Sequence, residues 1–198
     1  MVKMLISTGM AEFAFMFFFL SFSGWVLESA QESIVRGKPV NKGFFKGPWV
    51  PVQGLGGLGV YLLLRPLQAY PVLVFFAGAL ICTTVEYSTA LFLEKCFRVK
   101  SWDYHTYPHT KWCHFRGRVS LTISLVFGTL SLVLVYFYWS FAMNLAASLG
   151  SWLMPLDGLL AAIFTVDVCY SCGRVIRLNK AGVKIKSWGV FSDAKDME

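Results

Sequence analysis

Residues 71–95 read PVLVFFAGALICTTVEYSTALFLEK, and Arg98, Lys100, Lys111, Arg116 and Arg118 follow. A bilayer core needs about 20 apolar residues from a crossing helix, and this run supplies them. Working outward, apolar segments that helices would fill recur near residues 9–32, 51–66, 118–142 and 152–173. Of the 18 Lys and Arg residues, 16 fall in three blocks between or after these segments. The first is Arg36, Lys38, Lys42 and Lys46; the second is Lys95 with the five cations named above; the third is Arg174, Arg177, Lys180, Lys184, Lys186 and Lys195. Lys3 and Arg65 alone lie elsewhere. With Lys and Arg on the cytoplasmic side, one orientation satisfies all three blocks: amino terminus outside, carboxyl terminus inside. The expectation is an all-α, polytopic transmembrane helix bundle of about five spans in the cell membrane. It occupies residues 1–173, with a basic cytoplasmic tail at 174–198.

Composition points the same way. The chain is 56% hydrophobic and 17% aromatic, with a mean hydropathy of +0.58. Only 15% of its residues are charged, against about 25% in a soluble domain. A net charge of +7 would suggest nucleic acid in a soluble protein; here basic loops drawn to anionic lipid headgroups explain it, and nucleic-acid binding is excluded as a reading. The first apolar run lacks a clear small-x-small cleavage site and continues through Gly24, Trp25 and Glu28, so it reads as a span rather than a signal peptide. The segment at 51–66 is short and closed by Arg65 and Pro66, which leaves a full span and a re-entrant segment both open.

Several motifs are weaker than they look. Gly54-Leu-Gly56-Gly57-Leu-Gly59 contains the letters G-x-G-x-x-G, but no βαβ unit surrounds it. Glycines in an apolar helix instead permit close helix packing. The five cysteines, Cys82, Cys96, Cys113, Cys169 and Cys172, are odd in number and make no disulfide framework. Cys169 and Cys172 read as small apolar residues one turn apart rather than a redox pair. His105, His109, Cys113 and His114 offer metal-binding chemistry, but Pro108 breaks any helix aligning the histidines and the spacing fits no standard zinc pattern. No metal and no cofactor is expected.

Ionisable residues inside a span are costly unless paired or hydrated, so each is a candidate for function. Ser21, Trp25, Glu28 and Glu32 share one face of the first helix; Thr83, Glu86, Tyr87, Ala90 and Glu94 do so in the third. Asp167, Ser171 and Arg174 form a stripe in the last helix, with Asp157 nearer the outside. Glu86 is nearest mid-span. It is expected to face the bundle interior, answered by Asn41 and Lys42, if the first basic loop dips inward, or by Arg118. That loop, residues 37–51, has glycines and prolines that prevent a continuous helix, yet Phe44, Phe45 and Trp49 are too apolar for free solvent. An ordered turn folding back to the membrane interface is expected.

Four stretches carry a resemblance: Gly24-Trp25 with Glu28; Gly37-Lys38 through Asn41-Lys42-Gly43-Phe44, Gly47-Pro48, Pro51 and Gly54; Glu86-Tyr87 with Glu94-Lys95; and Trp102-Asp103-Tyr104. Gly117-Arg118-Val119-Ser120-Leu121, Gly128 and Asp167 extend it. Together they resemble the CmpB-like bacterial membrane proteins named as ABC-transporter type IV permeases. Lys42 stands where that family carries Arg, and the loop from Tyr104 to Gly117 is longer and richer in His and Cys. The resemblance implies a permease. The chain has no G-x-x-x-x-G-K-[ST] phosphate loop, so any ATPase would be a separate subunit.

The resulting expectation is a permease-like transport component with a polar intramembrane site. Its substrate-binding candidates are Glu28, Asn41, Glu86, Tyr87, Asp103, Arg118 and Asp167, and its substrate is unspecified. Expected partners are membrane lipids and a partner subunit or a second copy of the chain. Two alternatives stand beside it. One is a structural or regulatory membrane subunit. The other is a small membrane-embedded enzyme acting on lipid, with Glu28, Glu86 or Asp103 as acids and Arg116 and Arg118 holding a phosphate.

Overall fold

The computed structural model describes residues 2–105, 110 and 112–182, with side chains from residue 9 onward. His109, Lys111, Lys184, Lys186 and Lys195 lie outside the described residues. The described chain is nearly all-α: α1 (Val2–Arg36), α2 (Pro51–Leu64), α3 (Pro71–Phe97), α4 (Leu121–Val133), α5 (Trp139–Leu149) and α6 (Leu153–Lys180). A π-helical turn, Leu134–Tyr138, joins α4 and α5 into one rod. A two-stranded antiparallel hairpin, β1 (His114–Phe115) and β2 (Val119–Ser120), precedes α4.

Proline opens both α2 and α3, at Pro51 and Pro71, where its missing N–H costs no helical hydrogen bond. Three helical stretches are long and apolar enough to cross a membrane: Gly9–Arg36, Pro71–Phe97 and Leu121–Lys180. The third does not run straight. Gly150 takes φ +53° and a tight turn, Gly150–Trp152, reverses the chain between α5 and α6. Leu153 packs with Ala11, Ala142 and Ala146, whereas Val175 packs with Phe44, Leu93 and Val99, so the two halves lie side by side.

The two ends of the bundle differ in character. One gathers Ala11, Phe15, Tyr61, Trp139, Ala146 and Leu153, with the Tyr61 and Trp139 rings stacked at 6°. The other gathers the loop at 37–50, the loop at 98–120 and the end of α6 around Phe44, Leu93, Val99 and Val175. Asn179 ties this end further by donating to the Phe97 carbonyl. All three Lys/Arg blocks, as far as they are described, therefore meet at one end. Between the ends the outer surface is apolar: Leu62, Leu63, Phe76, Leu80, Phe137, Ile163 and Val166 are exposed. A surface of that kind suits lipid contact and would aggregate in water.

The helix boundaries correct the sequence reading at two places. The fourth helical segment begins at Leu121 rather than 118 and continues to Leu149 rather than 142. Arg116 and Gly117 both take positive φ, 53° and 70°, which turns the hairpin and forbids a helix there. The last helix runs seven residues past 173, to Lys180, carrying Arg174 and Arg177 on ordered backbone. The 14 residues of α2 rise only roughly 21 Å, short of the hydrocarbon thickness.

The glycine cluster of α2 is a packing device. A Cβ on Gly54 would collide with Ser21 and with the Phe17 backbone of α1, and one on Gly57 would lie 2.8 Å from Leu20. Gly56 and Gly59 turn the other way, toward Cys82 and Ile81 of α3. Small residues thus let α2 approach both neighbours closely. Gly54→Val is expected to lower stability by about 1–3 kcal/mol through overpacking. Gly158→Ala, where a Cβ meets nothing within 4 Å, should be neutral or slightly stabilising. Thermal melts of the detergent-solubilised variants check both.

Candidate functional site

Two loops at the basic end are held down by side chains rising from the helices. The first is the segment between α1 and α2. Ser29 and Ser33, one turn apart on α1, accept the backbone N–H groups of Lys42 and Val40 at 3.1 and 2.9 Å. Glu32, between them, pairs with Arg36 and Lys42 at 2.5 and 3.0 Å. The Trp25 indole N–H donates to Asn41 Oδ1 at 2.6 Å, and Asn41 Nδ2 donates to the Lys46 carbonyl at 2.9 Å. From α6, Asp167 accepts the consecutive backbone N–H groups of Lys46 and Gly47 at 3.2 and 2.9 Å. Gly47 has to be glycine here, because a Cβ would collide with the Trp49 indole and lie 2.8 Å from Asp167 Oδ2. Val40, Phe44, Trp49 and Val50 are buried, so this loop is an ordered cap.

The second clasp joins α3, the following loop and the hairpin. Arg98 caps α3 in the left-handed region, and Val99 is buried beneath the loop. Trp102 donates its indole N–H to the Arg118 carbonyl at 2.8 Å, and Tyr104 donates its backbone N–H to the Gly117 carbonyl at 2.9 Å. Arg118 in turn grips Glu94 through Nε and Nη2, at 3.0 and 2.5 Å, with its guanidinium 5.9 Å from the centre of the Tyr87 ring. Asp103 pairs with Lys100 at 2.6 Å and accepts the His105 backbone N–H. A Cβ on Gly117 would meet Asp103 and His105, so the hairpin turn can close only with glycine there.

Between the clasps lie Glu28 and Glu86. Glu86 faces the bundle interior, only 7% exposed, and accepts a hydrogen bond from the Tyr104 hydroxyl at 2.6 Å through Oε1. Its Oε2 is buried and has no protein hydrogen-bond partner. Glu28 accepts from Gln53 Nε2 at 2.9 Å, and its charge is near enough to interact with that of Glu86. Two acids from α1 and α3 thus share the polar interior just beneath the caps, with one carboxylate oxygen uncommitted. Asp157 is a second buried acid without a hydrogen-bond partner, on α6 nearer the opposite end.

The expected donors to Glu86 need correcting. Asn41 bonds Trp25 and Lys46, Lys42 pairs with Glu32, and Arg118 pairs with Glu94. Glu94 lies eight residues beyond Glu86, about 12 Å along the helix, so a hairpin arginine that reaches it is well away from Glu86. Tyr104 makes the contact instead. Its own motif, Trp102-Asp103-Tyr104, was the available signal; a phenol beside two aromatic or acidic neighbours gave no sign of reaching back into the bundle. Gln53 was missed for a similar reason, being one polar residue ahead of a glycine run. Of the seven candidates, Glu28 and Glu86 come together. Asn41 and Asp167 meet at Lys46, and Tyr87 meets Arg118 while Asp103 braces the same hairpin.

The rings of His105 and His114 lie 3.9 Å apart, and the Gly117 N–H donates to His114 Nδ1. Among the described residues no three His, Cys, Asp or Glu side chains converge as metal ligands would. Two open grooves lie on the surface of the described residues. One, of about 550 Å³, is lined by Trp25, Ser29, Ser33 and Asn41; the other, of about 410 Å³, runs along the end of α6.

A family model described as "Putative ABC-transporter type IV" matches residues 15–172. The chain belongs to this family. No curated protein and no solved structure matches it. The matched range runs from α1 into α6 and contains both clasps and both central acids. Family and apolar helices together make this a membrane protein of a transporter family.

Asp103 lies outside the crossing stretches and carries a pH dependence. Burial works against its charged form, but the Lys100 and His105 hydrogen bonds and the attraction of those residues outweigh it. Its carboxyl is therefore held below the ordinary value of 3.8. The pair stabilises the clasp above that ordinary value, and the contribution is lost as pH falls through the lower, folded value. Lys100→Gln should lower stability at pH 7 by less than about 1 kcal/mol, since the pair is partly exposed. Melting curves from pH 7 to 3 should show wild type and variant converging at the acid end.

Proposed function

We propose that this chain is the membrane-embedded, permease-like component of an ABC-type transport system, with the Glu28–Glu86–Tyr104 cluster as its polar intramembrane site. The observation that carries the reading is Glu86. A buried carboxylate inside an apolar crossing helix keeps one oxygen uncommitted while nearly every other polar group nearby is paired. Intramembrane acids in that condition are expensive to maintain and accordingly mark pathways. The chain carries no nucleotide-binding loop, so the ATPase belongs to a separate subunit. Both grooves are open on their outer side, which supports a path completed by a partner subunit or a second copy rather than by this chain alone.

The chain sits in the cell membrane as a five-span protein, amino terminus outside and carboxyl terminus cytoplasmic. The gathering of the basic blocks at one end supports this orientation. α2 is the short member, completing its passage through the turn at Arg65–Leu67. Single-cysteine variants in a cysteine-free background test it with a membrane-impermeant maleimide. Positions in 37–48 and the exposed Cys113 should label from the cytoplasm, and positions in 144–150 from outside. Cytoplasmic labelling of 144–150 would overturn the five-span arrangement.

A structural or regulatory role has one observation in its favour: Glu32, Glu94, Asp103 and Asp167 are all consumed by contacts within the chain. Glu86→Gln separates the two readings, because it keeps the shape and removes the charge. Under the transport reading the variant elutes and melts as wild type, but the metabolite differences that wild-type expression produces in cells and medium disappear. Under the structural reading those differences persist. Glu86→Ala, which also removes the Tyr104 hydrogen bond, should cost about 1–3 kcal/mol in either case.

A further inference from the structure

Along the end of α6, Tyr170, Arg174, Arg177, Leu178 and Ala181 recur at helical spacing and line one open groove of about 410 Å³. Tyr170, Arg177 and Ala181 are exposed, so this stripe faces away from the bundle. The capping loop adds a third cation: the Lys46 ammonium lies 5.2 Å from the centre of the Tyr170 ring. The acid one turn before Tyr170, Asp167, is directed to the Lys46 and Gly47 N–H groups. Arg177 is steadied by donating from Nε to the Gly173 carbonyl of its own helix. α6 ends a stretch long and apolar enough to cross a membrane, and these residues occupy its last turns, where a basic helix end meets the headgroups.

We propose that this groove is a discrete binding site for the phosphate headgroup of one anionic phospholipid. Guanidinium forks three residues apart match phosphate oxygens, with the Lys46 ammonium as a further point charge. Tyr170 has the amphipathic ring favoured at the headgroup level, and Leu178 offers apolar contact to the glycerol and chains. Lipid is the fitting source of the phosphate because the groove is open on its outer side. A soluble anion would be gripped on one side only, whereas a lipid is held at this depth by its own acyl chains. The proposal requires only that α6 crosses the bilayer and is independent of what is transported.

Native mass spectrometry of the purified full chain, titrated with phosphatidylglycerol or phosphatidylcholine, tests it. Wild type should retain one phosphatidylglycerol in preference to phosphatidylcholine. Arg174→Gln/Arg177→Gln should weaken that binding roughly 30-fold, at about 1 kcal/mol per cation. Lys95→Gln/Arg98→Gln removes as much charge from the same end and should change binding less than about threefold, because neither side chain lines the groove and exposed charges outside it are screened. Equal weakening by both double variants would reduce the effect to a diffuse field and overturn the site, as would no weakening by the first. Displacement of the lipid by millimolar inorganic phosphate would assign the site to a free anion and overturn the lipid source. Should the double variant misfold, Arg177→Gln alone, on an exposed side chain, reads the same loss in smaller measure.

Discussion

The Asp167 carboxylate accepts two consecutive backbone N–H groups, those of Lys46 and Gly47, across 120 residues of sequence. The cap at the basic end rests on that contact. A loop at the edge of a bilayer has backbone donors that neither lipid nor a regular helix satisfies, and an unsatisfied donor there is costly. An acid on α6 answers two of them, serines on α1 answer Val40 and Lys42, and the Ser21 carbonyl accepts from Val50. Once the loop is fixed from both sides, Phe44 and Trp49 are pressed into the bundle and α2 starts at a defined place beside α1. The close approach of Gly54 and Gly57 to α1 follows from that start.

The same logic explains how so many charged residues gather at the basic end with their acids already answered. Glu32, Glu94 and Asp103 each face a cation: Arg36 of the same helix and Lys42 of the capping loop, Arg118 of the hairpin, and Lys100 three residues earlier in the same loop. Partly exposed pairs of this kind contribute little stability individually. Their effect here is positional. Arg118 fixes the hairpin against α3, the hairpin fixes Tyr104 through the Gly117 carbonyl, and Tyr104 reaches Glu86. A surface ion pair thus sets the geometry of a buried hydrogen bond two helical turns deeper.

The helices were legible in the sequence because apolar length and charge-block position both follow directly from the cost of burying polar groups in lipid. The loop at 37–51 was legible as an ordered cap for a related reason: aromatic side chains beside glycine and proline have to go somewhere apolar. What was not legible depended on backbone sign and on distant partners. The hairpin turns on positive φ at Arg116, a residue with no special preference for that region, so nothing local distinguished it from the start of a helix. The π-turn at Leu134–Tyr138 lies within an unbroken apolar run and left periodicity undisturbed. The candidate acids were correctly placed on faces, but their partners came from loops, and periodicity carries no information about loops.

Glu86 differs from the other acids in what it would gain from being neutral. Glu32 and Glu94 sit in the last turns of their helices and Asp103 in the loop beyond α3, where a cation reaches each, so replacing any one leaves an opposite charge without its partner. Glu86 is answered by the Tyr104 phenol, so a shape-matched amide could keep that bond. If packing alone governed this position, an amide or an apolar side chain would serve it at lower cost. A carboxylate offers something those groups lack, a site where positive charge or a proton can be held inside the bundle. Its neighbour Glu28 belongs to a different helix and is held by Gln53 of a third. The separation of the two acids therefore depends on how α1, α2 and α3 pack, and the glycines of α2 are what permit that packing.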